Sequence, residues 1–182
     1  ADGLVVPRQG SGHFLARRPE QPFGLSLLAG KLDRISSIIE VLELRAAVEG
    51  EAAALAAERR SPAELAKIGE CYEEITTAVQ GGDWAEDEDY AFHLAIAEAS
   101  HNQHFVEFFK FLGRRTIPRR QLKVQLTGRE GAPRYLALIQ AEHRKIADAI
   151  AHGDAELARA TMRAHLMGSQ ERYRRLMEGA GR

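Results

Sequence analysis

Four side chains in this sequence are of the right types to hold a metal ion together: Asp89, His93, His143 and His165. Asp89 and His93 are four residues apart, so on a helix both leave the same face. His143 sits in the middle of an apolar stripe at helical spacing, Leu136, Ile139, His143, Ile146 and Ile150. An imidazole pointed into a core needs a partner for each ring nitrogen. His165 has Thr161, Met162, Gly168 and Ser169 one turn away, and mostly small neighbours leave room for a ligand cavity beside it. One carboxylate and three imidazoles suit zinc, nickel, manganese or iron, and ligand type alone does not choose among them. An ion with coordination positions to spare would accept water or a small anion.

Each residue also has a plainer explanation. A histidine on an apolar stripe is commonly a hydrogen-bonded core residue, and Asp89 would favour a helix N-terminus electrostatically. Three inward histidines on separate helices, one with an aspartate a turn before it, form a joint pattern that those explanations cover less easily. His101, His104 and His152 fall in turn-like or terminal positions and read as surface histidines. Arg45 interrupts a second inward stripe, Ile38, Val41, Arg45, Val48, Ala52 and Leu55. A buried guanidinium needs an anion. Glu49, one turn on, is one candidate, and a bound carboxylate gripped in bidentate fashion is the other; the sequence leaves both open. Arg114, Arg115, Arg119 and Arg120 cluster around Pro118 and read as a solvated face, with one of them available to line a cavity.

These side chains need elements to position them. From Gly24 onward the chain is helical in pattern. Leu28, Leu32, Ile35, Ile39 and Leu42 form an amphipathic stripe, and the pair Ser37 and Glu40 matches a capping box at which a new helix begins, running to about Arg60. Ser61-Pro62-Ala63-Glu64 is a stronger start signal, for a helix that ends at Gly81-Gly82. Further helices are expected from about Trp84 to Ala99, from Gln103 with a kink at Pro118, after a turn at Gly128 to Pro133, and from the cap Asp154 until the pattern fades before Gly179. The expected fold class is therefore all-α, an antiparallel bundle of about six or seven helices.

The first residues differ. Leu4-Val5-Val6 and His13-Phe14-Leu15-Ala16 flank the turn-forming Arg8-Gln9-Gly10-Ser11-Gly12, the pattern of a short β-hairpin. Residues 1–17 are read as this unit, 18–24 as a linker and 25–178 as the helical domain. The chain has 182 residues, 45% hydrophobic and 28% charged, with a formal charge of −1. That balance fits one compact domain and excludes both a broadly basic nucleic-acid binder and a disordered acidic chain. A single cysteine, Cys71, can form neither an internal disulfide nor a cysteine metal site, so a reducing cytoplasm is expected. No apolar run approaches the roughly 20 residues of a membrane span, and no membrane partner is expected.

Several short stretches resemble a known family. Arg45-Ala46-Ala47-Val48-Glu49, Leu55-Ala56-Ala57-Glu58-Arg59, Asp89-Tyr90-Ala91-Phe92-His93, Ala99-Ser100-His101-Asn102, Glu142-His143 and His165-Leu166 resemble, in this order, the FCD domain, the effector domain of FadR-type regulators in the GntR superfamily. The hairpin, Gly3 to Ala16, resembles the wing of that superfamily's winged helix-turn-helix, with His13 where the pattern often has Thr. The resemblance implies a ligand-responsive, DNA-binding transcription regulator that is not an enzyme. It implies Asp89, His93, His143 and His165 as metal ligands, with zinc the expected ion, and Arg45 as the contact for the carboxylate of a small organic acid effector. It also implies wing contacts to DNA from Arg8, Gln9, Gly10 and Gly12, and a homodimer, for which the exposed side of Phe105, Phe108 and Phe109 or the first helix would supply the interface. On that reading the recognition helix precedes Ala1, and operator DNA is a partner only together with it. Two rivals use the same residues: a metal-dependent hydrolase, and a helical interaction module with structural histidines.

Overall fold

The computed structural model describes residues 5–8, 12–15, 35–112 and 131–180. Two strands, β1 (Val5–Arg8) and β2 (Gly12–Leu15), pair antiparallel with Val5 opposite Leu15 and Arg8 opposite Gly12. Gln9 and Gly10, the linker at 18–24, Leu28, Leu32, Pro118 and the arginines at 114, 115, 119 and 120 lie outside the described residues.

Six helices follow among the described residues: α1 (Ile35–Arg59), α2 (Pro62–Gln80), α3 (Glu86–Ala99), α4 (Gln103–Leu112), α5 (Gly131–His152) and α6 (Ala155–Ala180). Ser37 and Glu40 do not start a helix, because both lie inside α1. At Ser61 the same signal is genuine. Its hydroxyl accepts from the Glu64 backbone N–H at 3.2 Å, the Glu64 carboxylate accepts from the Ser61 N–H at 2.7 Å, and proline follows at the first helical position. The difference is the preceding chain: Ser61 has extended backbone, with φ −74° and ψ 163°, whereas Ser37 is already helical.

Helix α3 starts two residues after Trp84, once the Asp83 carboxylate has accepted from the Ala85 N–H at 2.8 Å. Its first turn is wholly acidic, Glu86 to Asp89, which suits the positive end of the helix dipole. Helix α5 absorbs Gly131, Ala132 and Pro133, part of the expected turn, since proline is tolerated within a first helical turn. Between α5 and α6 the turn is tight: Gly153 adopts φ +72°, and Asp154 caps α6 by accepting from the Leu157 N–H at 2.9 Å. Helix α6 continues past Gly179 to Ala180.

The long helices α1 and α6 pack along each other more extensively than any other pair. Their crossing is close because α1 presents Ala46, Gly50, Ala53 and Ala57; a Cβ on Gly50 would meet Arg163 Cγ at 2.8 Å. Around this pair the core gathers Leu42, Ile68, Ile75, Phe92, Ile96, Ile146, Ile150, Met162, Leu166 and Tyr173. Burial of such side chains contributes roughly 1.5–3 kcal/mol each and drives the bundle together. Helices α3 and α5 pack on this pair of helices, and α2 packs in turn on α3 and α5. No helix among the described residues is long and apolar enough to cross a membrane.

Candidate metal centre

Four helices bring the chemistry-bearing side chains into one cluster, buried except at its edge, where Glu142 and Arg172 are partly exposed. Helix α3 contributes Asp89 and His93, α5 contributes Glu142 and His143, α6 contributes His165 and Arg172, and α1 contributes Arg45 and Glu49. His93, His143 and His165 are all buried, and each offers a ligand nitrogen within 4.8 Å of the others. Asp89 closes the group: its carboxylate oxygens lie 3.2 Å from His143 Nε2 and 3.8 Å from His93 Nε2. The apolar stripe on α5 is buried along its whole length, so the helical spacing read from the sequence holds, with His143 at its centre.

A second ring of contacts orients the imidazoles. His93 Nδ1 is 2.6 Å from Glu49 Oε2, and His165 Nδ1 is 2.8 Å from Glu142 Oε2. Each carboxylate favours a proton on Nδ1, which leaves the Nε2 lone pair for the cluster. His93 Nε2 is buried and makes no hydrogen bond among the described residues. An orphaned imidazole nitrogen beside an aspartate and two more histidines is a costly arrangement for a purely structural core, and a natural one for a cation. The residues present therefore fit a divalent metal.

The electrostatics agree. Burial pushes the Glu49 carboxyl upward, but Arg45 and His93 together outweigh it and hold the group at about 2. Burial pushes His165 down, more strongly than Glu142 draws it up, which favours the neutral ring that a metal requires. Burial raises Glu142 too, yet hydrogen bonds from His165 and Arg172 leave it below its ordinary value.

Arg45 finds its anion within its own helix. Its Nε donates to Glu49 Oε1 and its Nη2 to Glu49 Oε2 at 3.3 Å, with the guanidinium over the Phe109 ring at 5.6 Å. Glu49 is thus one partner of Arg45, as the sequence allowed. Phe109 is itself buried, stacked on Tyr90 and beside His93, so it lines the centre and is not part of an exposed interface.

The room expected beside His165 is not empty. A Cβ on Gly168 would lie 3.2 Å from Arg172 Nη1 and 3.5 Å from Glu142 Oε1, so the missing side chain makes space for an ion pair. Glu142, next to His143 in sequence and therefore on another side of α5, turns to His165 on the neighbouring helix. Glu49 was visible only as a partner for Arg45, and Glu142 and Arg172 carried no sequence signal for orienting a histidine. His101 and His152, although exposed, are engaged: His101 Nε2 lies 2.9 Å from Glu64 Oε2, and His152 Nδ1 lies 2.7 Å from the Asp148 carbonyl.

The FCD domain model matches residues 40–168. The chain is 33% identical over 178 residues to the HTH-type transcriptional regulator LutR of Bacillus subtilis strain 168, covering 94% of this chain and 78% of that protein. It is also 33% identical over 174 residues to an Escherichia coli K12 protein provisionally named as the L-lactate dehydrogenase operon regulatory protein, covering 91% of this chain and 64% of that one. Among solved structures, a GntR protein of Streptococcus agalactiae superposes with a TM-score of 0.61 at 24% identity, over 93% of this chain and 75% of that one, a likeness of fold. The domain match begins at residue 40, beyond the hairpin, so the reading of the hairpin as a wing rests on its own sequence. Kinship places the chain among transcription regulators rather than enzymes, and the two carboxylates beside the cluster, Glu49 and Glu142, already serve its histidines and arginines.

Proposed function

Because this chain belongs to the FCD-domain family of FadR-type regulators in the GntR superfamily, we propose that its helical domain is a metal-dependent sensor of a small organic acid, and that occupancy of the sensor changes operator affinity. The observation that carries this reading is the convergence of Asp89, His93, His143 and His165 at one buried point. These four hold a divalent ion, zinc first among the candidates, in the proposed site. When bound, the ion supplies a positive, Lewis-acidic centre for an acid's carboxylate. The chain's own residues do the rest. Glu49 and Glu142 orient two of the imidazoles, and Phe92 and Phe109 exclude water from beside them. Arg45, on the same wall as Phe109, contacts the acid while Glu49 keeps its charge compensated. A relative named for an L-lactate dehydrogenase operon points toward short hydroxy acids as the class to try first.

In this proposal residues 1–17 belong to a winged helix-turn-helix, with Arg8, Gln9, Gly10 and Gly12 near DNA, 18–24 form the linker, and 25–178 form the sensing and dimerising domain of a cytoplasmic homodimer. Two-fold symmetry is what a palindromic operator demands. The acid acts allosterically by preferring one of two arrangements of the helices.

A melting-temperature screen of carboxylic acids on metal-loaded protein tests it. An acid at about 100 times its dissociation constant should add roughly 2.7 kcal/mol of stability. In Arg45→Ala the increment from the acid should vanish while that from the metal persists. Acid-induced stabilisation that survives both chelation and Arg45→Ala would overturn the reading.

A further inference from the structure

We propose that Glu142 and Arg172 form a positioning pair that holds the His165 ring with Nε2 turned toward the metal centre, an inference that rests on the metal reading of that centre.

Glu142 is placed to do this by geometry alone. It leaves α5 one residue before His143 but reaches across to α6, where its Oε2 lies 2.8 Å from His165 Nδ1. Arg172, seven residues along α6 from His165, donates from Nη1 to Glu142 Oε1 at 3.0 Å and from Nη2 to Oε2 at 3.1 Å. Such a bidentate pair fixes the plane of the carboxylate, not merely its position. The arginine is fixed in turn: Nη2 also donates to Ser169 Oγ at 2.8 Å, and the guanidinium lies 5.8 Å from the centroid of the Tyr135 ring. Gly168 supplies the space, since even a methyl group there would press on Arg172 Nη1 at 3.2 Å.

The arrangement repeats with different helices, α1 and α3. There Arg45 anchors Glu49, and Glu49 holds His93 Nδ1. Two imidazoles are thus set by the same device, an arginine-braced carboxylate on Nδ1. A carboxylate in this position raises the basicity of the ring and removes the wrong tautomer, and its loss typically weakens metal affinity 10–100-fold. Glu142 and its arginine are partly exposed at the α5–α6 seam, with side chains 19% and 17% accessible, whereas Glu49 is buried at 5%. The Glu142 arm is therefore the better one to probe, since its removal leaves no charge stranded in the core.

Cobalt(II) titration of the chelator-stripped protein, followed by its visible ligand-field spectrum and by competition with a calibrated chelator, decides the matter. Wild-type protein should bind cobalt, and failure to do so sinks the metal reading and this inference together. Given binding, Glu142→Ala should weaken cobalt affinity about 10–100-fold and alter the spectrum. Glu142→Gln, which keeps an acceptor for Nδ1–H, should recover part of the loss. Affinity and spectrum unchanged in Glu142→Ala overturn the positioning role while leaving the metal site intact. Should the alanine variant not fold, Arg172→Met carries the decision: weaker cobalt binding supports the brace, and wild-type affinity overturns it.

Discussion

Glu49 Oε2 lies 2.6 Å from His93 Nδ1 while the same carboxylate is paired with Arg45, so one side chain joins the buried arginine of α1 to a histidine of the buried cluster on α3. The pair is almost wholly out of water, with side chains 3% and 5% accessible. Breaking such a pair leaves an uncompensated buried charge, at a cost of about 3–5 kcal/mol, whereas replacing both partners with apolar residues is often neutral. Glu49→Ala should therefore unfold at markedly lower urea than wild type, and Arg45→Met with Glu49→Leu should recover most of the difference. Equal midpoints for wild type and Glu49→Ala would contradict the coupling.

Metal should stabilise the fold through His143. Zinc at about 100 times its dissociation constant should add roughly 2.7 kcal/mol, and a chelator should reverse the gain. In His143→Ala the melting temperature should ignore both additions. A zinc-induced rise of the same size in the variant would place the ion elsewhere.

The capping box at the start of α2 gives a pH dependence of known sign. A backbone hydrogen bond from Ser61, then contacts from His101 and the Ser61 hydroxyl, hold Glu64 at about 2 against an ordinary value of 4.5. A depressed carboxyl contributes stability that is present above 4.5 and is lost as pH falls toward 2. Glu64→Gln should thus be less stable than wild type near neutrality, and the gap should narrow as urea unfolding is repeated at decreasing pH below 4.5. Ser61→Ala should cost about 1 kcal/mol at neutral pH. A Glu64→Gln gap that stays constant through the acid range would rule out the cap as its source.

Core and surface should separate cleanly on α3 and α5. Phe92 is fully buried, in contact with the His93 and His143 rings, and Phe92→Ala should cost about 3–5 kcal/mol. Leu138 is 48% exposed, and Leu138→Ala should change stability by no more than about 0.5 kcal/mol. Comparable losses in chemical denaturation for the two would mean that Leu138 is covered in solution.

Much of this molecule is local, and local features are legible in a sequence. Periodicity set the inward face of α5 and most of that of α1, where Val48 and Leu55 are only half-buried, because side chains three and four apart must share a side of a helix. The Ser61 and Asp154 caps and the Gly81-Gly82 stop depend on a few adjacent residues and were readable for that reason. So were Asp89, His93, His143 and His165, whose types and faces are both encoded locally. What the tertiary structure decided is which partners those side chains meet. Glu49 and His93 are 44 residues apart, Glu142 and His165 are 23 apart, and a helical wheel describes only one helix at a time. Pointing away from His143 on α5 is pointing toward His165 on α6. The small residue at Gly168 looked like space for a ligand for the same reason: whether a gap is filled depends on the helix packed across it, and there it holds the Glu142–Arg172 pair.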